Sequence, residues 1–377
     1  MHRYDLIIVG AGIIGAAVAR ECARSGLRVA IVEAGTPGGG ITAAGMGHVV
    51  VMDDSPAQLA LTAFSRGLWR EESFPVSVEY ASPGTIWIAA DEEEMAEVFT
   101  KKETYARAGV HSQVLSAPAL AALEPNLRAG LAGGLLVPED GVMYPPAAAA
   151  YFLRQAKEWG AEMIAGRAAR AGEGSVSLDG GLRLTARFVL LATGMDCALL
   201  PAMPLRMRKG HLVITDRYPG FVSHQLVELG YLKSAHKVAG DSVAFNVQPR
   251  QTGQLLIGSS RQYGSDTVAI NQEILTRMLQ RAEHYMPGLG AVSALRIWTG
   301  FRAATEDKLP LLGPAEGLSD DPTLWLAVGF EGLGYTHAPG AARLLADRLL
   351  GRASAMELEP FLPARLKGSA AGKALHA

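Results

Sequence analysis

Cysteine is almost missing from this chain: its 377 residues include only Cys22 and Cys197. Two distant cysteines exclude a disulfide framework and leave no ligand spacing for a zinc site or an iron–sulfur cluster. Such usage suits a reducing compartment. An excess of either charge is missing too, with 35 lysines and arginines against 37 aspartates and glutamates. No global basic field therefore recruits nucleic acid or anionic lipid. No apolar run reaches the roughly 18 residues of a spanning helix. A strand pattern begins at Tyr4, so no secretory leader is expected. These absences predict a soluble, cytoplasmic protein with no nucleic-acid partner, no membrane span and no metal.

What is present is apolar residues, at 49%, and glycine, at 43 residues. The first indicates a well-buried globular protein, and the length suits two intertwined domains. The second says that many backbone positions need positive φ or close approach to something bound. Tyr4–Val9 is an apolar run suited to a strand buried on both faces. Gly10, Gly12 and Gly15 follow, then Ile14, Ala17, Val18 and Cys22 at helical spacing, with Gly26 as the stop. Leu27–Glu33 is a second strand ending in an acid.

A lone G-x-G-x-x-G is weak evidence, but here strand, glycines, helix and terminal acid occur in order. Gly10 allows the tight turn, Gly12 lets the backbone approach a pyrophosphate, and Gly15 permits close helix–strand packing. Ile13 and Ile14 open a helix whose free N–H groups face the phosphates. Glu33, followed by Ala34, is placed to accept from a ribose hydroxyl. Three further segments favour FAD over NAD. The glycine-rich loop up to Gly45, Met46, Gly47 and His48 follows the acid-bearing strand. Leu190–Ala192 ends in Thr193 and Gly194. Gly329, Gly332, Leu333 and Gly334 precede a helix expected from Ala338 to Leu350.

The pattern predicts an α/β protein: a Rossmann-type FAD-binding domain with an inserted, mostly antiparallel β-sheet substrate domain. Residues 1–84, 140–210 and 320–366 are assigned to the first, 85–139 and 211–319 to the second, and 367–377 to a disordered tail.

With these motifs the chain resembles the D-amino-acid-oxidase-like FAD family, which includes glycine and sarcosine oxidases and the β subunits of bacterial heteromeric amine dehydrogenases. Trp298–Arg302 and Asp307–Gly313 add to the match. Thr42–His48 with Phe330–Gly334 looks closest to the D-hydroxyproline dehydrogenase β subunits. The resemblance implies that Gly300 borders the flavin and that Arg302 binds the substrate carboxylate over it, as a planar guanidinium suits a carboxylate. The other reading of Arg302 is an ion pair with Glu306 or Asp307. His48 reads either as a cofactor or substrate contact or as a water-exposed loop residue. His211 reads as a domain-crossover residue with a site role as the alternative, His337 reads similarly, and Met46 reads as a pocket wall or mere packing.

The expected activity is oxidation of the carbon–nitrogen bond of a small amino or imino acid, by hydride transfer to flavin N5. Partner subunits carrying the electron acceptor are implied by the heteromeric relatives. The chain departs from the family pattern. Phe245–Val247 lacks the tyrosine of glycine oxidase, Phe330 replaces a common histidine, and Gln254–Ile257 lacks the lysine that sarcosine oxidase holds above its flavin. The last favours a dehydrogenase. Glycine or sarcosine oxidation with peroxide formation is the alternative, as is an electron-relay subunit. Outside the class, an NAD-dependent dehydrogenase has no use for the three later segments.

Overall fold

The computed structural model describes residues 3–230 and 240–366; the expected tail at 367–377 lies outside them. The chain opens with β1 (Tyr4–Val9), α1 (Ile13–Arg24), β2 (Val29–Glu33), α2 (Gly40–Ala44), β3 (His48–Val49) and α3 (Pro56–Arg70). Then come β4 (Thr85–Ala89), α4 (Glu92–Arg107), β5 (Gln113–Ser116), α5 (Ala117–Leu123), β6 (Gly133–Val137), β7 (Gly141–Val142) and α6 (Pro145–Glu158). The strands β8 (Glu162–Ala165), β9 (Ala168–Gly172), β10 (Ser175–Leu178), β11 (Arg183–Leu191), β12 (Arg206–Arg217), β13 (Gln225–Glu228), β14 (Ser242–Pro249) and β15 (Gln254–Arg261) follow. Next are α7 (Gln272–Tyr285), β16 (Ala294–Ala304), β17 (Leu311–Pro314), β18 (Leu324–Val328) and α8 (Gly334–Leu350), with short 3-10 turns at Glu359–Phe361 and Pro363–Leu366.

Local chemistry sets several boundaries. Ser55 caps α3 by accepting from the Gln58 N–H at 3.2 Å, with Pro56 in the first turn. Asp91 caps α4 through the Glu94 N–H at 2.8 Å, and Glu92–Glu94 complement the helix dipole.

One sheet runs β17-β18-β11-β1-β2-β8, parallel except for β17, with β10 and β9 continuing from β11. Its β1 residues Leu6 and Ile8 pack with Val18 of α1, Phe152 of α6 and Leu345 of α8 on one face. Ile7 and Val9 pack with Val189, Leu191 and Leu326 on the other. A central parallel strand buried on both faces is why the run carries no polar residue after Asp5. The second sheet runs β16-β12-β15-β14-β13-β4-β6-β5, antiparallel except where β13 meets β4. Phe245 of β14 stacks on Tyr285 of α7 with centroids 4.6 Å apart. A two-stranded ribbon, β3 with β7, completes the strands.

The strand pairings depart from the expected segment limits at two points. The strand β12 pairs with β16 from Arg206↔Ala304 onward, so 206–210 join the second sheet. The strand β17 pairs with β18 through Leu311↔Val328 and joins the first. The strand β11 runs unbroken from Arg183 to Leu191 and delivers Thr193 and Gly194 just beyond its end. The last helix begins a full turn before Ala338, despite Pro339. Proline removes the N–H that would reach the Tyr335 carbonyl. Trp69 Nε1 supplies a donor there instead, at 3.0 Å to Tyr335 and 3.1 Å to Thr336. No helix among the described residues is long and apolar enough to cross a membrane.

The tightest approach is between β1 and α1. A Cβ on Gly15 would lie 1.9 Å from the Gly10 carbonyl oxygen, which is backbone and cannot swing away. Gly15→Val is therefore expected to destabilise the fold by at least about 1–3 kcal/mol and to lower flavin retention. An unchanged thermal midpoint would contradict this packing.

Candidate active site

The two sheets flank a cavity of about 1070 Å³, at the upper end of the roughly 300–1,000 Å³ common for small-molecule sites. At one end lie Gly10, Gly12, Ile13, Ile14, Glu33, Ala34, Thr193 and Gly194. The first hydrogen bond of α1 is from Ala16 N–H to the Gly12 carbonyl at 2.9 Å, so the amides before Ala16 have no helix partner. Thr42 Oγ1 accepts from that of Ile13 at 3.0 Å. Glu33 accepts from the amides of Ala11 and Gly35, both at 2.7 Å, which fixes its carboxylate at the cavity wall.

Gly45, Met46, His48 and Gly300 line the middle, and Gly329, Gly332, Leu333 and Gly334 bring the start of α8 to the same space. Trp298 Nε1 donates to the Ala44 carbonyl at 3.0 Å and ties the α2 loop to β16. Tyr335 donates to the carbonyls of Ile41 and Thr42 at 3.1 and 3.0 Å from the other side.

Two residues expected at the cofactor do not line the cavity. Gly15 faces Gly10, and its missing side chain serves packing. A Cβ on Gly47 would stand 2.1 Å from the Met143 carbonyl oxygen, so Gly47 faces the β7–α6 connection. His211 and His337 also lie off the cavity. His211 Nδ1 contacts Ser260 Oγ at 2.9 Å and its Nε2 accepts from Asn271 N–H at 3.0 Å. His337 packs near Phe330 with ring centroids 6.0 Å apart.

Arg302 lines the cavity from β16. Its Nη1 donates to the Ser260 carbonyl at 3.1 Å. Among the described residues it forms no ion pair within 4.0 Å; Asp307 pairs with Arg365 at 2.7 Å and Glu306 is exposed. Neither acid that the sequence offered as a partner is used. Glu331, named in the sequence only as part of a motif, also lines the cavity and pairs with Arg208 at 3.2 Å. Burial alone would raise its pKa, but Arg261, Arg302 and Arg208 overcome that and hold it at about 2. Arg261, Asn246, Gln225 and Tyr335 line the cavity without having been picked out from sequence. Spacing carries no signal for them, because three separate strands deliver Gln225, Asn246 and Arg261, and the first turn of α8 delivers Tyr335.

His48 Nε2 donates to the Gly332 carbonyl at 3.2 Å, which leaves Nδ1 as the unprotonated nitrogen. Burial, then the charge of Arg302, pushes its pKa down to about 4; burial alone takes His337 to about 3. Both fall below the ordinary value of 6.5. The unfolded chain therefore binds protons that the native chain refuses, and stability drops as pH falls from 6.5 toward these values. His337→Gln should flatten that decline in urea-midpoint measurements; an unchanged slope would contradict it.

The cavity fits a dinucleotide on its own features. It has a glycine turn leading into α1 amides without helix partners, an anchored acid at the end of the next strand, and a second helix start at Gly334. Among the described residues no cluster of three or more His, Cys, Asp or Glu is placed to hold a metal. The sequence is 29% identical to glycine oxidase from Geobacillus kaustophilus over 376 residues, covering 96% of both chains. The crystal structure of glycine oxidase from that organism matches with a TM-score of 0.82 at 27% identity, covering 97% of this chain and 99% of that one. Hydrogen cyanide synthase subunit HcnC from Pseudomonas aeruginosa is 25% identical over 441 residues, covering 99% of each. The fold is shared with L-proline dehydrogenase from P. horikoshii, with a TM-score of 0.86 at 21% identity over 97% and 98% of the two chains. The family model "FAD dependent oxidoreductase" (DAO) matches residues 5–348, and the chain belongs to that family of FAD-binding enzymes.

Proposed function

We propose that this enzyme oxidises the carbon–nitrogen bond of a small amino or imino acid whose carboxylate is held by Arg302. The observation that carries the reading is a cavity-lining guanidinium with no carboxylate of the described protein in ion-pair range, anchored at one nitrogen by the Ser260 carbonyl. That anchor leaves donors for a bidentate carboxylate contact. FAD, when bound, supplies the acceptor for the two electrons of the breaking C–H bond. The chain's part is orientation and charge. Arg302 fixes the carboxylate, the glycines at 45 and 300 allow close approach, and His48 stays neutral beside them.

No acid–base pair is required, provided that the substrate amine arrives neutral. Glycine oxidase among the relatives supports an amino-acid substrate. Within the class, a D-hydroxyproline-like imino acid is the narrower reading, resting on the segments Thr42–His48 and Phe330–Gly334. Glycine or sarcosine is the other, and the glycine oxidase similarity supports it at least as well.

HcnC is named as a subunit, which supports partner subunits holding the electron acceptor. The lysine-free run Gln254–Ile257 favours a dehydrogenase, while Arg261 and Lys308 still bring cations to the cavity. An oxygen electrode decides between peroxide formation and dye reduction alone.

Arg302→Lys should raise the substrate dissociation constant roughly 10- to 100-fold, the worth of a charge-assisted contact, with the flavin still bound. An unchanged constant would sink the assignment. Turnover should also rise with pH as the substrate amine loses its proton; a flat profile means that another step limits the rate.

A further inference from the structure

Resting on the reading that Arg302 takes the substrate's α-carboxylate, we infer that the substrate carries a second carboxylate, bound by Arg261. The strand β15 places alternate residues, Ser259 and Arg261, on the cavity wall. Ser260 between them points the other way, its Oγ accepting from the His211 amide at 2.9 Å. Its carbonyl accepts from Arg302 at 3.1 Å, so the peptide next to Arg261 also anchors Arg302. The two guanidiniums thus enter one end of the cavity from adjacent supports. Arg261 is buried, at 6% exposure.

The charge count at this end is lopsided. Glu331 sits 3.2 Å from Arg208 and 4.0 Å from Arg261, one carboxylate shared among arginines. The other acids lining the cavity are committed elsewhere. Glu33 holds backbone amides, Asp54 pairs with Lys308 at 3.2 Å, Asp196 pairs with Arg167 at 3.7 Å, and Asp179 is exposed in a hairpin turn. Residues 1–2, 231–239 and 367–377, outside the described structure, contain no aspartate or glutamate.

Three guanidiniums, Arg208, Arg261 and Arg302, therefore face one protein carboxylate. Concentrating cations in a water-poor site is costly unless an anion joins them. An amino acid with one carboxylate answers Arg302. A second carboxylate, on the nitrogen substituent or the side chain, answers Arg261 and restores the balance. D-Hydroxyproline, glycine and sarcosine carry one carboxylate each, so the inference orders the substrates within the proposed class.

The test uses the holoenzyme and ligands that cannot be oxidised: acetate against malonate and succinate, followed by perturbation of the bound-flavin absorbance. The dicarboxylates should bind at least about tenfold more tightly, the worth of one added charge-assisted pair. Arg261→Gln should abolish that preference while acetate binding persists, and Arg261→Lys should keep part of it. Independently of any variant, kcat/KM for N-carboxymethylglycine should exceed that for N-methylglycine by a similar factor. Acetate and dicarboxylates binding alike, or a preference that survives in Arg261→Gln, overturns the inference. Failure of the underlying reading looks different: acetate would bind wild type and Arg302→Lys equally, and the inference falls with it.

Discussion

Much of this structure depends on the missing side chain at Gly15. With a Cβ excluded there by the Gly10 carbonyl oxygen at 1.9 Å, α1 lies directly on the turn that follows β1. That contact brings the start of α1 to the cavity. It also orients the surface on which α6 and α8 pack, since both rest against α1. A helix held farther away would leave its free amides short of any phosphate. The start of α8 reaches the same cavity, and Trp69 supplies its Tyr335 carbonyl with the hydrogen bond that Pro339 cannot.

The opposite end is organised by charge. Glu331 is ionised because arginines surround it, and it holds Arg208 near the wall that bears Arg302. His48, half-buried at the cavity wall, is kept neutral first by desolvation and then by the charge of Arg302. The cavity therefore joins a backbone-lined end suited to a phosphate-bearing cofactor to a cationic end suited to carboxylates. An enzyme that binds an amino acid against a flavin needs that asymmetry, because orientation is its main contribution.

The dinucleotide end was legible in sequence because its elements are contiguous: β1, the glycines, α1, β2 and Glu33 lie within one β-α-β unit. The register of β12 against β15 and β16 was not, and Arg261 and Arg302 owe their position to it. Gly47 was misplaced for a related reason. A glycine in a glycine-rich loop looks the same whether it clears a ligand or, as here, the Met143 carbonyl. Arg302 was found through family resemblance, while its anchor on Ser260, 42 residues earlier in the chain, was invisible to local spacing.

The central claim is that bound FAD accepts electrons from a small amino or imino acid seated at Arg302. Anaerobic mixing of the purified yellow protein with a panel of D- and L-amino acids, imino acids and N-substituted glycines tests it most directly. The account predicts bleaching of the flavin absorbance by members of that panel. A flavin that stays oxidised with every amino and imino acid, yet bleaches with a substrate lacking nitrogen, would contradict it.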